Sequence, residues 1–188
     1  LTQLEELHFS HNNVTDLSFL SGMTELRRIS AENTGLTDIS PLAGKLRLEA
    51  VFIGDSLVTD ITPLKSARGL RFLGCNELQI GSLDALEGMT ELETVCLAGC
   101  GLWSIQPLSS GKKLRNVYLG RNNVSDLSPL IGCDIAEMYL DLNKLNGNSE
   151  AFRGLTVHGF IVMNGNGYAQ EDLEYIRSTI NGEADLEI

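Results

Sequence analysis

The segment Leu114-Arg115-Asn116-Val117-Tyr118-Leu119-Gly120-Arg121-Asn122-Asn123-Val124-Ser125-Asp126-Leu127-Ser128-Pro129-Leu130 carries the plan of the whole chain. Val117 and Leu119 alternate with Asn116, Tyr118 and Gly120, the two-residue period of a strand with one buried face. Asn122 stands where the chain must leave that strand, and its amide can bond backbone groups that would otherwise be buried without partners. Pro129 removes a donor and restrains the residue before it, so the return limb cannot be a long α-helix and a short 3₁₀ turn fits better.

Working outward, Leu114 is preceded at steps of 22 residues by Leu92, Leu70, Leu48, Leu26 and Leu4. It is followed by Ile135 after 21 residues and Val157 after 22. Eight such units cannot bury their apolar sides alone and must stack, with parallel strands and one long exposed sheet face. Asn12 and Asn143 take the place of Asn122, Thr34, Ser56 and Cys100 are small substitutes, and Leu78 departs from the pattern. All four prolines, Pro41, Pro63, Pro107 and Pro129, fall at the sixteenth position of their units.

Over residues 4 to about 165 these features resemble the leucine-rich repeats of the 22-residue subclass found in bacterial internalins and in a regulatory subunit of a eukaryotic Ser/Thr phosphatase. The resemblance implies an α/β fold, a right-handed curved solenoid with parallel strands on the concave face and 3₁₀ turns on the convex face. It also implies recognition of a protein partner through concave residues, without catalysis. A repeat scaffold serves many unrelated partners, so no partner identity follows.

The expected organisation is eight repeats over residues 1–165 and a C-terminal capping helix with an acidic tail over residues 166–188. Leu1-Thr2-Gln3-Leu4 copies the junctions Met23-Thr24-Glu25-Leu26 and Met89-Thr90-Glu91-Leu92. The first unit is therefore read as cut from a longer protein and uncapped, an open edge through which the chain could self-associate. Near the other end, Asn146-Gly147-Asn148-Ser149-Glu150-Ala151-Phe152 replaces the proline phrase. The strand Phe160-Ile161-Val162-Met163 follows, in a register the spacing leaves open by one residue. Ala169, Leu173, Ile176 and Ile180 then form one apolar helical stripe that Asn181-Gly182 ends.

With 14 Lys and Arg against 25 Asp and Glu, the formal charge of −11 opposes nucleic-acid binding. No apolar run approaches the ~18 to 20 residues that cross a bilayer, so membrane insertion is not expected. Cys75 and Cys100 are read as inward, Cys96 as outward and Cys133 as lying in a loop. Residues 96 and 100 would lie about 13 Å apart on an extended strand, too far for a disulfide. Inward thiols favour a reducing compartment, whereas the internalin resemblance favours a bacterial surface or secreted protein, so the sequence leaves localisation undecided.

The outward strand positions hold the candidate site. Phe52, Phe72, Tyr118 and Tyr139 stand among Gly, Ala and Cys, bordered by Arg28, Glu32, Asn116, Glu137 and Asp141. Such exposed aromatics suit a protein interface, although cross-strand aromatic pairs also stabilise a sheet by ~0.2 to 1 kcal/mol on their own account. Tyr118 and Tyr139 should lie about 5 Å apart, and the intervening small residues should leave shallow places for a partner's side chains. Trp103, where other units carry Thr or Ser, is a candidate at the rim, with packing against its own loop as the alternative.

No other motif points to chemistry. His8 and His11 lack a third metal ligand, Leu145 stands where a calcium loop around Asp141, Asn143 and Gly147 needs an oxygen, and Asn164-Gly165-Asn166-Gly167 is a turn without a phosphate-loop lysine. No cofactor, metal or catalytic constellation is expected. Two glycosylation sequons, at Asn13 and Asn123, arise from the repeat phrase itself. The sequence thus reads as a non-enzymatic protein-recognition module. The alternative is a targeting or scaffolding segment of a larger enzyme or surface protein whose other domain lies upstream.

Overall fold

The computed structural model describes residues 2–188. Leu1, the first residue of the junction-like tetrad, lies outside them. Nine strands form one parallel sheet in sequence order: β1 (Glu6–His8), β2 (Arg28–Ser30), β3 (Ala50–Phe52), β4 (Phe72–Gly74), β5 (Thr94–Cys96), β6 (Asn116–Tyr118), β7 (Asp134–Tyr139), β8 (Thr156–Val162) and β9 (Asp185–Glu187). The register aligns equivalent repeat positions, so Ile29, Val51, Leu73, Val95, Val117, Met138 and Ile161 form one inward column in which every side chain is buried. Leu7 and Leu186 continue the column in the outermost strands, where a neighbour on only one side leaves them half-buried.

Each strand ends in the same bend. The eighth residue of each of the first seven units, from His11 and Asn33 through to Leu142, and Gly165 one place later in the last, has φ between 50° and 72°. Asn, Asp, His and Gly enter this left-handed region readily, whereas Glu77, Arg121 and Leu142 do so at a steric cost. Return limbs are 3₁₀ turns, among them Ser40–Leu42, Thr62–Ser66, Gln106–Ser110 and Ser128–Leu130, each with proline in its first turn. In four units an Asp carboxylate accepts both the backbone N–H and the hydroxyl of the Ser or Thr two residues on: Asp16, Asp38, Asp60 and Asp126. The hydroxyl bond first, then the amide bond, holds Asp16 and Asp38 below the usual carboxylate range.

Asn122, Asn143 and Asn166 form a buried column behind the bends. Each donates back to the strand it leaves, and each also reaches the preceding unit, Asn143 for example accepting the Val124 N–H at 2.9 Å. Thr34 and Ser56 manage only the carbonyl three residues back, and the Cys100 thiol reaches the Cys75 carbonyl at 3.0 Å.

The last two units differ from a plain continuation. Ile135 pairs with Val157 but Met138 pairs with Ile161, because β8 holds one extra residue. This bulge needs Gly159, where a Cβ would come within 2.2 Å of the Ala136 carbonyl oxygen. It resolves the open register: Phe160 faces outward, Ile161 inward, and Asn166 takes the asparagine place. The helix α1 (Gln170–Thr179) buries Leu173 and Ile176, with Ile180 just beyond it, while Ala169 sits before its first turn and is exposed. Asp172 accepts the Ala169 N–H and the Ser149 hydroxyl, fixing α1 beside the turn Ser149–Phe152. The acidic segment after it is a ninth strand, with Asp185 and Glu187 outward. Cys133, read as a loop residue, is buried beneath the turns and donates to the Gly111 carbonyl.

Candidate protein-binding face

Outward positions of the sheet meet in register. Tyr118 and Tyr139 pair directly across β6 and β7, their rings stacked with centroids 5.0 Å apart at 23°, an arrangement that adds attraction beyond area burial. The Tyr118 hydroxyl donates to Glu137 at 2.6 Å. That bond, with desolvation second, pushes the phenol well above its usual range, so it stays a neutral donor. Asn116, beside Glu137 in register, donates to the Thr94 hydroxyl at 3.2 Å.

The small residues do not leave open places. Gly54, Gly74 and Gly120 are all buried although they face outward. A Cβ on Gly74 would lie 2.7 Å from the Phe52 ring, one on Gly120 would lie 2.4 Å from an Asp141 oxygen, and one on Gly54 would crowd Asn76. The protein's own side chains fill the hollows, so the expectation of shallow receptor sites is corrected. Glycine is there to let Phe52 and Asp141 lie flat across the neighbouring strand. Phe72 is half-exposed and carries the Arg71 guanidinium 5.3 Å from its ring centroid.

Phe52 and Phe72 therefore make a separate patch on β3 and β4, and Tyr118 and Tyr139 another on β6 and β7, with Thr94 and Cys96 of β5 between them. Arg28 and Glu32 lie toward β1, where Glu6 is 3.5 Å from His8 and 4.0 Å from Arg28. Sequence reading missed Phe160, which is 51% exposed and stands beside Glu137 in register. It extends the second patch to β8, and only the bulge turns it outward. Around this patch Glu137, Asp141, Asp185 and Glu187 face out, and neither Lys nor Arg stands at an outward position of β6 to β9.

A second feature legible in the repeat alignment borders the face. The second residues of successive units, Glu5, Arg27, Glu49, Arg71, Glu93 and Arg115, alternate in sign. Arg27 bridges Glu5 at 3.6 Å and also pairs with Glu49, and Arg71 reaches Glu93 at 2.8 Å. Glu91 and Lys113 make a parallel rung at 2.6 Å. Trp103 is 71% exposed and lines a groove between the turns Asp84–Leu86 and Gln106–Ser110, on the convex side of the sheet.

All four cysteines are free thiols. Burial raises Cys75 above the usual thiol range and pushes Cys100 up to about 12, which leaves them packing groups and not nucleophiles. Among the described residues no three His, Cys, Asp or Glu side chains converge as metal ligands, and no helix is long and apolar enough to cross a membrane.

Parallel strands, 3₁₀ return turns and an asparagine column define a leucine-rich-repeat solenoid. The family model described as leucine-rich repeats (two copies) matches residues 2–44. Residues 2–44 thus carry recognised leucine-rich repeats, and the remaining units continue the same repeating fold. Among solved structures it is similar to internalin C2 of Listeria monocytogenes, at 22% identity and a TM-score of 0.74, over 97% of this chain and 71% of that one. Internalin F of the same organism matches at 20% identity and a TM-score of 0.69, over 100% and 70% of the two chains. A complex of latrophilin 3, Unc5D and the leucine-rich repeats of FLRT2 contains a chain matching at 17% identity and a TM-score of 0.69, over 99% and 71%. These likenesses establish the fold. No curated protein sequence matches the chain.

Proposed function

We propose that this chain is a non-enzymatic recognition module that holds a protein partner on its concave face, centred on Tyr118, Tyr139 and Phe160. The observation that carries the reading is this aromatic patch across three adjacent strands, with Tyr118 locked to Glu137 and with acidic residues at its border. Large rigid aromatics bury much area at small entropic cost. Phe52 and Phe72, with Arg28 and Glu32 beyond them, form a second contact area, and Asn116 lies beside the first. Leucine-rich repeats of FLRT2 occur in an assembly with two other proteins, which supports protein recognition as the use of this fold.

The test is retention of proteins from cell extract and from secreted or host fractions. The parent chain is compared with a variant carrying Tyr118→Ala, Tyr139→Ala and Phe160→Ala, and with one carrying Phe52→Ala and Phe72→Ala, at matched circular dichroism. A protein retained by the parent and lost by the first variant supports the reading. Equal retention by all three removes the concave site.

A further inference from the structure

We propose that the convex groove beneath Trp103 is a second binding site, which takes an arginine or lysine side chain presented by a partner polypeptide. This inference does not depend on the concave face. The groove has a volume of about 340 Å³ and is lined by Trp103, Asp84, Glu87, Gln106, Gly81 and Ser82, together with further serines and neither lysine nor arginine.

Three departures from the repeat meet there. At the twelfth position Thr15, Thr37, Thr59 and Ser125 occupy other units, whereas units four and five carry Gly81 and Trp103. A Cβ on Gly81 would find nothing within 4 Å, so the space beside the indole is open. At the thirteenth and fifteenth positions the usual order, Asp then Ser or Thr, is reversed in unit four to Ser82 then Asp84. The Ser82 hydroxyl now accepts the Asp84 N–H at 3.1 Å and does the work of the turn.

This reversal frees a carboxylate. Asp16, Asp38, Asp60 and Asp126 spend their oxygens on the turn, but the Asp84 carboxylate has no hydrogen bond or ion pair among the described residues, and neither has that of Glu87. Arg68, outside the groove lining, donates to the Glu87 main-chain carbonyl. The solenoid requires neither an indole nor a free carboxylate at these positions, since other units fold with Thr or Ser. An exposed indole face attracts a cation through its quadrupole, and carboxylates beside it complete the recognition of an ammonium or guanidinium group.

Trp103 is the chain's single tryptophan, so intrinsic indole fluorescence reports this groove alone. The probe is acetyl-triarginine amide, titrated at low salt beside acetyl-triglutamine amide and a neutral trisaccharide. The expected result is a saturable change with the arginine peptide only. Its affinity should fall about fivefold in an Asp84→Asn, Glu87→Gln variant, as loss of a cation-binding contact implies. A Glu171→Gln, Glu174→Gln variant, altered on the exposed side of α1 far from the groove, should titrate like the parent. No saturable response, or equal weakening in both variants, overturns the proposal. A response to the trisaccharide without one to the arginine peptide overturns it in favour of a glycan site.

Discussion

Replacing Asn122 by alanine tests whether the buried amide column, and not hydrophobic stacking alone, couples neighbouring repeats. Asn122 accepts the N–H groups of Cys100 at 3.1 Å and Leu102 at 2.9 Å and donates to the carbonyls of Leu97 and Leu119, both at 2.8 Å. The Leu119 carbonyl keeps a second donor in Asn143, but the two N–H groups, in a setting closed to solvent, lose their partner. A buried donor left unpaired costs about 1 to 3 kcal/mol. Two donors, partly relieved by local relaxation, give an expected loss of about 2 to 4 kcal/mol. Asn12 provides the control: it holds the same place in the first unit and donates to Phe9 and Ser10 at 3.0 Å, yet it is exposed. Water replaces those bonds, so Asn12→Ala should cost less than about 1 kcal/mol. Urea unfolding followed by circular dichroism measures both. A loss below about 1 kcal/mol for Asn122→Ala, or equal losses for the two variants, would refute the reasoning.

Lys45 occupies a buried place filled by Met23 and Met89 in other units, and its ammonium donates to the Leu20 carbonyl at 2.7 Å. Lys45→Met should therefore stabilise the fold by about 1 to 2 kcal/mol at pH 7 by removing a desolvated charge. Burial lowers the native pKa of Lys45, so between that value and the ordinary ~10.4 the unfolded chain binds more protons than the native one. From this group the parent gains stability as pH rises through that window, and the gap to the Met variant narrows; urea midpoints at pH 7 and pH 10 check both statements. Leu142, exposed and held at φ 51°, should give about 0.5 to 1 kcal/mol of added stability on replacement by glycine, read from the same unfolding curves. No gain would mean that its contact with Gly165 outweighs the strain.

The repeat was legible because its cause is local and recurrent. An apolar column spaced by 22 residues, alternation at strand period and proline at one fixed place each state a backbone conformation, and eight restatements leave one way to stack them. The Tyr118 and Tyr139 stack was equally legible, since equal repeat positions in parallel strands lie one strand spacing apart. The alternating charges from Glu5 to Arg115 could have been found by reading the second position down the alignment.

Other features depend on contacts between units, which composition and spacing do not encode. Whether Gly74 and Gly120 are hollows or floors beneath a neighbour's side chain depends on the rotamers of Phe52 and Asp141. Phe160 faces outward because one extra residue is absorbed where Gly159 lets β8 approach the Ala136 carbonyl, and a shift of one residue in a strand exchanges its faces. The segment Asp185–Glu187 becomes a strand because α1 returns the chain to the open side of β8. Sequence by itself determined the unit, its period and its buried side, because those follow from each residue's own conformational and hydrophobic preferences. Tertiary structure alone decided which outward side chains stand free, because that depends on what the next repeat lays across them.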